Sequence, residues 1–193
     1  MDPIVFLFVV VAASLILVAA TGFRIVRPFE KGLVEFLGRY EKTVDSGLRW
    51  VMPFVKRLTK VDMREQVVDV PPQEVITKDN VTIKMNAVVY FNVMNPIDAV
   101  IKIANHYVAT SLYAQTTLRN ILGQHELDEI LSERDKIGAS LQTIIDAATD
   151  AWGIKVSAVE IKDIELPDNM RRAMARQAEA ERERRAKIIA AAG

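Results

Sequence analysis

Cysteine is missing from the sequence, and its absence removes several classes of chemistry. The 193 residues contain no thiol. Disulfides, thiolate metal sites, a cysteine nucleophile and S-palmitoylation are therefore excluded for these residues. The absence does not identify the compartment, because reducing and oxidising locations both tolerate a protein without cysteine.

A surplus of either charge is missing as well. Lysine plus arginine and aspartate plus glutamate balance at 25 each, so the formal net charge is +0. A balanced chain has no overall field that would attract nucleic acid. We therefore expect no nucleic-acid partner.

Recognisable catalytic motifs are a third absence. The sequence has no Walker A loop, no Rossmann glycine fingerprint, no G-x-S-x-G elbow and no H-E-x-x-H motif. The only histidines, His106 and His125, lie in loop-like contexts and would need carboxylate help to bind a metal. We predict no catalytic, cofactor-binding or metal-binding residues, although sequence alone leaves a serine–lysine dyad open. One acidic cluster is expected to form a solvated helix face and caps: Glu126, Asp128, Glu129 and Glu133.

The sequence contains one long apolar run, near the N-terminus. Residues 4–23 (IVFLFVVVAASLILVAATGF) carry no charge, and thirteen of these twenty residues are Ile, Val, Leu or Phe. At about 1.5 Å per residue, a helix of this length reaches roughly 30 Å, the thickness of a bilayer's hydrocarbon core. A buried core helix rarely runs this long without a polar stripe, and a secretory signal would begin with basic residues. We predict a transmembrane helix with these membrane-spanning residues: Ile4, Phe8, Val11, Leu15, Val18 and Phe23.

Basic residues after this run predict its orientation. Arg24, Arg27 and Lys31 follow it directly. By the positive-inside rule, the N-terminus lies outside and the remaining chain lies on the cytoplasmic side of the cell membrane, after a single pass. The opposite orientation stays open, since a single basic cluster is modest support.

A second membrane-related segment covers residues 48–58 (LRWVMPFVKRL), where aromatic and aliphatic side chains lie between Arg49 and the pair Lys56–Arg57. This combination suits the interfacial layer, where rings lie among headgroups and cations meet anionic lipid. A strand or loop that fills the core is the alternative, and both interpretations stay open. The interfacial hypothesis assigns these membrane-surface residues: Trp50, Met52, Phe54, Lys56 and Arg57.

Much of the following sequence predicts β-structure. Residues 33–41 are typical of a strand bent at Gly38, and residues 60–70 of a strand that ends at Pro71 and Pro72. A turn at residues 78–80 then joins two arms of a hairpin.

The second arm of that hairpin has the clearest periodicity in the chain. Apolar residues occupy every odd position from Val81 to Val93. Period two over this length predicts a strand with one buried face, in a mainly antiparallel sheet that is covered on one side.

Helices are predicted in the second half. Asn95 and Pro96 predict the start of a helix over residues 97–104, and Gly123 the end of another over residues 110–122.

Residues 132–135 (SERD) predict a capping box for a third helix, which ends at Gly153. Residues 154–166 predict a further strand, in which the alternation of apolar and polar residues is interrupted. Strands first and helices later, with a late strand, indicate an α+β fold.

The last segment, residues 168–192, contains neither glycine nor proline and is rich in Ala, Glu and Arg. Its helix propensity is high, yet it has few large apolar residues to bury. It is either solvated or packed against copies of itself, as the start of a coiled coil that we expect to continue in the natural protein. The expected self-association residues are Ala173, Ala178, Glu179, Glu181, Arg182 and Arg185.

Several of these segments together resemble stomatin-type proteins of the SPFH (prohibitin-homology) superfamily. The longest is MREQVVDVPPQEVITKDNVTIKMNAVVYFN at residues 63–92. The others are QTTLRNI (115–121), ELDEILSERDK (126–136), WGIKVSAVEIKDIELP (152–167) and AMARQAEAERERRAKII (173–189). They occur in the family's order of hydrophobic anchor, SPFH domain and Ala/Glu/Arg-rich helix.

The resemblance implies an α+β domain against a membrane, homo-oligomerisation through adjacent domains and helices, and no cofactor. The expected divisions are an N-terminal tail and transmembrane helix (1–23), a β-rich membrane-proximal subdomain (24–95), an α/β subdomain (96–166) and the start of a coiled-coil helix (167–193). Animal stomatins carry palmitoylated cysteines and a hairpin-like insertion, so a chain without cysteine and with a predicted span favours a prokaryotic-type member.

Three functions compete at this point. The chain is a scaffold that forms a ring or cage and organises a membrane microdomain, or an adaptor that restrains one membrane protease, channel or NfeD-type protein. The third hypothesis, a membrane-tethered hydrolase, lacks a supporting motif.

Overall fold

The computed structural model describes residues 12–14, 18 and 20–192. Of the predicted membrane-spanning residues, Ile4, Phe8, Val11 and Leu15 lie outside the described residues. Val18 is helical and 38% exposed. No helix within the described part of the chain is long and apolar enough to cross a bilayer.

The fold is α+β, as predicted. The strands are β1 (Phe23–Val26), β2 (Glu30–Phe36), β3 (Arg39–Val44), β4 (Gly47–Trp50), β5 (Lys56–Asp62), β6 (Gln66–Ile76), β7 (Thr82–Val93) and β8 (Ile154–Glu165). The helices are α1 (Pro96–Ile101), α2 (His106–Leu122), α3 (Leu127–Ser132), α4 (Arg134–Thr149) and α5 (Asp168–Ala192), with one 3₁₀ turn at Asp150–Trp152.

The strands form three sheets, in the orders β1-β4, β3-β2-β5 and β6-β7-β8. In the first two sheets the paired strands are antiparallel. The chain divides into two compact units. The first combines Met1–Gln66, Tyr90–Ala109 and Asp146–Ser157, and the second combines Val67–Val89, Thr110–Ile145 and Ala158–Gly193.

The predicted bent strand at residues 33–41 is a hairpin instead, which corrects that expectation. Phe36 pairs with Arg39, and the two residues between them, Leu37 and Gly38, have φ of 48° and 82°. Two successive positive φ values define the type I′ turn, whose twist matches the strands on either side. The chain therefore reverses at Gly38.

The core of the first unit forms around β2. Leu33, Val61, Val93 and Ala99 are buried together, with Tyr40, Met63, Ile97 and Val100 packed against them. This cluster joins the early strands to the end of β7 and to α1, which gives the first unit a continuous apolar interior.

The predicted hairpin between β6 and β7 is confirmed, with its turn over residues 77–81. The N–H of Thr77 donates to the carbonyl of Val81 at 2.9 Å, and Asn80 has φ of 60°. The predicted alternation in β7 is also confirmed, since its odd positions from Ile83 to Val93 are at most 2% exposed. One face of β7 is therefore buried along the whole strand.

The expectation that Pro71 and Pro72 end a strand is wrong. Both residues lie inside β6, which continues to Ile76. β6 is at the edge of the sheet β6-β7-β8, and an edge strand bonds a neighbour on one side only. It therefore tolerates the missing proline N–H better than a central strand does.

The predicted start of α1 is confirmed by its cap. The side chain of Asn95 accepts a hydrogen bond from the N–H of Ile97 at 3.1 Å, and Pro96 is in the first turn. α2 begins four residues earlier than expected, at His106, because Asn105 accepts from the N–H of Val108 at 3.2 Å. His106 is thus helical rather than part of a loop.

The predicted capping box at residues 132–135 does not form. The hydroxyl of Ser132 donates to the carbonyl of Asp128 at 2.7 Å, inside α3, so it is turned away from the start of α4. A reciprocal cap instead opens α3, where the N–H of Glu126 donates to the carboxylate of Glu129 at 3.2 Å.

The second half otherwise follows the predictions. Gly153 ends the helical region with φ of 70°. β8 is buried at Ile154, Val156 and Val159, so its alternation is interrupted as expected. α5 covers the predicted helical segment.

Candidate membrane-contact surface

Strands β1 and β4 place four large apolar side chains on one face of a two-stranded ribbon. Phe23 pairs with Trp50, and Ile25 pairs with Leu48. Because side chains alternate along a strand, these four share one face, which we call the ribbon face. They are 55%, 53%, 66% and 64% exposed, respectively. A contiguous apolar surface of this kind marks a contact with a partner or a membrane.

Two strained loops carry further apolar side chains, which we call the tip residues: Leu37 and Phe54. They are 74% and 93% exposed, and their φ values are 48° and 68°. The N–H of Leu37 donates to the carbonyl of Val55 at 3.1 Å, which joins the two loops. A large side chain with positive φ costs about 1–3 kcal/mol, and such strain concentrates at functional sites.

Basic side chains accompany the apolar ones. Lys56 forms an ion pair with Glu41 at 2.7 Å and lies over the ring of Phe36, 5.8 Å from its centroid. Lys60 donates to the carbonyl of Ile25 at 2.6 Å. Each of these lysines also has a carboxylate partner, because Lys60 lies 3.8 Å from a carboxylate oxygen of Glu30.

Arg24 and Arg49 lie directly opposite each other across β1 and β4. Like charges in this position destabilise a strand pair. Arg49 donates to the carbonyl of Asp45 at 3.3 Å. The ribbon therefore concentrates positive charge on the face opposite the ribbon face.

A cleft of about 760 Å³ opens beside these residues, which we call the cationic cleft. It is lined by both tip residues and by four basic side chains: Arg24, Lys56, Arg57 and Lys60. Apolar and cationic groups thus share one concave surface within the first unit.

The structure separates the residues predicted in segment 48–58. Trp50, Met52 and Phe54 are exposed, whereas Val51 between them is only 6% exposed. Packing into the core of this chain therefore explains Val51 but not the other three. Arg57 is exposed and lines the cationic cleft, while Lys56 is half-buried in its ion pair. Contact of these side chains with lipid stays a prediction.

Sequence reasoning missed part of the surface and misplaced one residue. The sequence predicts Phe23 in the membrane-spanning helix, which is wrong, because Phe23 starts β1 and pairs with Trp50. The membrane-surface residues expected from the sequence do not include Ile25, Leu48 or Leu37. The alternation of apolar and polar residues in FRIV and GLRW indicates two short strands, but their pairing could not be seen in either segment alone.

The predicted self-association residues in α5 are all exposed. Glu181 accepts a hydrogen bond from Arg185, four residues along the helix, at 3.2 Å. Among the described residues, the pairs Glu179–Arg182 and Glu181–Arg184, which the spacing of three also allows, are not within ion-pair distance. α5 therefore presents a polar, unpacked surface.

The two histidines are separate features. His106 packs edge-on against Phe91, with 6.1 Å between ring centroids, and burial lowers the pKa of His106. The Nδ1 atom of His125 lies 3.1 Å from a carboxylate oxygen of Glu129. The pKa of Glu129 is lowered, mainly by the hydrogen bond from the N–H of Glu126 and next by the one with His125. No group of three or more potential metal ligands occurs in the described ranges.

Comparison with known families accounts for this arrangement. The family described as SPFH domain / Band 7 family matches residues 24–193, which include β1 to β8 from Arg24 onward and all five helices α1 to α5. The chain belongs to this family. The resemblance to stomatin-type proteins is therefore confirmed.

Several relatives of this SPFH-domain chain are named as stomatins. A stomatin homolog from Pyrococcus abyssi is 52% identical over 186 residues, covering 96% of this chain and 69% of that protein. A stomatin homolog from Pyrococcus horikoshii is 52% identical over 182 residues, covering 94% and 68%. Mouse stomatin is 48% identical over 195 residues, covering 96% and 69%. The archaeal relatives fit the expectation of a prokaryotic member.

Proposed function

We propose that this chain is a membrane-anchored scaffold that homo-oligomerises into a large ring or cage and organises a membrane microdomain with its membrane proteins. The observation that carries this proposal is the exposed ribbon face. Its first residue, Phe23, is also the last residue of the apolar run at 4–23. A chain anchored through that run would hold the ribbon face at the bilayer surface.

The chemistry of the surface supports this placement. Trp50 offers an aromatic ring on the ribbon face, and Phe54 lines one cleft with the cations of Arg24 and Arg57, which together is the composition of a membrane interface. Burying a large apolar side chain contributes about 1.5–3 kcal/mol when it is fully removed from water. Several partly exposed side chains together would give a substantial second attachment.

The topology and organisation proposed from the sequence are retained. The run 4–23 would cross the cell membrane once, with the N-terminus outside and the SPFH domain on the cytoplasmic side. Residues 24–95 would form the membrane-proximal subdomain, residues 96–166 the second subdomain, and residues 167–193 the start of a coiled coil. The clients would be membrane proteins such as a protease or an NfeD-type protein, as the resemblance implies.

The depth of a spin label in the bilayer tests whether this surface contacts lipid. The chain has no cysteine, so Phe54→Cys carries the only thiol and can be labelled with a nitroxide. In the full chain reconstituted into vesicles, we expect this label to be accessible to oxygen and shielded from a water-soluble relaxing agent. Leu112→Cys is the matched control, because Leu112 is also apolar and 57% exposed but lies in the second unit and outside the proposed membrane-proximal residues 24–95.

The control label should stay accessible to the water-soluble agent. Equal aqueous accessibility at positions 54 and 112 would show that the tip does not enter the bilayer, and the surface would then need another partner.

Assembly through α5 is the second part of the proposal. Ala173 and Ala178 would allow close approach of neighbouring helices, and charges such as Glu179 and Arg182 would pair between them. A contact this weak becomes effective when every copy has two neighbours in a closed ring.

We expect Ala178→Trp to reduce the particle mass of the detergent-extracted protein from that of a large oligomer to a few chains, because the indole prevents close helix approach. The measurement is mass photometry at constant protein concentration. Ala139→Trp is the control, since Ala139 is an exposed alanine of α4. A parent protein that is monomeric or dimeric, or an Ala178→Trp variant of parental mass, would refute the assembly.

A further inference from the structure

We propose that the cationic cleft binds the phosphate-bearing headgroup of an anionic phospholipid. The proposal deepens the proposed function and rests on it, because the tip residues, which line the cleft, would bring it to the lipid surface. The site consists of Arg24 and Arg57 as the cations and of the tip residues as the apolar wall.

The four basic side chains of the cleft differ in whether they have a partner. Lys56 is paired with Glu41, and Lys60 contacts the carbonyl of Ile25. Within the described residues, Arg24 and Arg57 have no carboxylate oxygen within 4.0 Å. Neither guanidinium group of the cleft therefore has a direct ion-pair partner among the described residues.

The neighbours of these arginines strengthen the case for an anion. Arg24 lies opposite Arg49, so β1 and β4 pair against a like-charge repulsion. Arg57 lies opposite Glu35 in the β2–β5 register, yet the two side chains form no ion pair. A bound anion would relieve the first repulsion and give Arg57 the partner that Glu35 does not supply.

Guanidinium groups suit phosphate in particular. Each presents parallel N–H donors that match two phosphate oxygens, and such charge-assisted bonds are stronger than neutral ones. The volume of about 760 Å³ is within the range of small-molecule sites, which is roughly 300–1,000 Å³. Two arginines and this volume accommodate a phosphate together with its polar substituent.

The apolar wall distinguishes a phospholipid from free phosphate. Leu37 and Phe54 line the same cleft as the arginines, and both project from strained backbone. A phospholipid joins its phosphate directly to an apolar acyl region, so one molecule would satisfy both halves of the site. Free phosphate would use only the arginines and would leave the apolar half exposed.

Lipid-dependent thermal stability tests this site in the full chain. The detergent-solubilised protein is titrated with dihexanoyl phosphatidylglycerol, dihexanoyl phosphatidylcholine or inorganic phosphate at equal concentrations, and Tm is recorded. Because ligand that binds the native state raises Tm, we expect a saturable rise with phosphatidylglycerol alone. Arg24→Gln and Arg57→Gln should each weaken the apparent affinity by at least about tenfold, as expected for loss of a charged hydrogen-bonding group.

Lys42→Gln is the matched control, since it removes one positive charge from an exposed position of β3 outside the cleft. It should keep the parental titration. The Tm without lipid shows separately whether any variant folds less well, so a folding defect is not mistaken for lost binding.

Each remaining outcome overturns the proposal. An equal rise with inorganic phosphate would assign the arginines to free anions, and an equal rise with phosphatidylcholine would assign the effect to acyl chains. Parental titrations for both arginine variants would place the lipid elsewhere. The nitroxide depth at position 54 is measured independently, so the headgroup site can fail while the membrane-contact surface stands.

Discussion

Replacing Gly153 by alanine is expected to lower the free energy of unfolding by roughly 2–5 kcal/mol, the largest effect of any single substitution considered. Gly153 has φ of 70°, where a side chain costs about 1–2 kcal/mol. A Cβ at this position would also lie 2.6 Å from the carbonyl oxygen of Asn95 and 2.8 Å from its Cβ. Overpacking of this kind adds about 1–3 kcal/mol.

The surroundings of Gly153 cannot move without loss of other bonds. Its carbonyl accepts hydrogen bonds from the N–H groups of Met94 and Asn95, at 2.9 and 3.0 Å. Asn95 in turn caps α1 through the N–H of Ile97. A shift that relieves the clash would therefore weaken the start of α1.

Gly38→Ala is the matched control for this prediction. Gly38 also has positive φ, 82°, but a Cβ there would have nothing within 4 Å. Its cost should be the conformational part alone, about 1–2 kcal/mol. Urea denaturation followed by circular dichroism compares the two variants, and equal losses would show that the contact with Asn95 contributes nothing.

Gly138→Ala is expected to destabilise the protein by about 1–3 kcal/mol, although alanine normally stabilises a helix interior. Gly138 lies within α4, where intrinsic propensity favours alanine by about 1 kcal/mol. A Cβ at this position would lie 2.7 Å from the carbonyl oxygen of Val159 in β8. Because that atom belongs to the backbone of a strand, α4 would have to move away from β8, which loses packing.

The neighbouring residue supplies the comparison. Ala139 is exposed in the same helix, so Ala139→Gly should cost only the propensity difference, about 1 kcal/mol. The midpoints of urea denaturation show whether each substitution raises or lowers the stability of the protein. A higher midpoint for Gly138→Ala than for the parent protein would mean that the helix is not held against β8 at this residue.

The features that sequence reasoning predicted correctly depend on residues close together in the chain. The alternation in β7, the cap of Asn95 on α1 and the glycine at 153 each act over a few positions. The helix α5 follows from its composition alone. In every case the deciding interaction is local, and its pattern is visible in a short window.

The errors arose where one short pattern allowed two local structures. Ser132 and Asp135 have the spacing of a capping box, but the serine hydroxyl bonds backward to Asp128. Residues 33–41 form a hairpin because Leu37 adopts a positive φ, which the local sequence does not indicate. Pro71 and Pro72 remain in a strand because β6 is at the edge of its sheet, which depends on the position of β7.

By itself, the sequence determined the family, the α+β class and the apolar, aromatic and basic character of the region around residues 48–58. Only the tertiary structure decided that Phe23 pairs with Trp50 and that Leu37 and Phe54 line one cleft with Arg24 and Arg57. The physical reason is that strand pairing and loop contacts join residues far apart in the chain. Their energies depend on distance in space, which no local periodicity records.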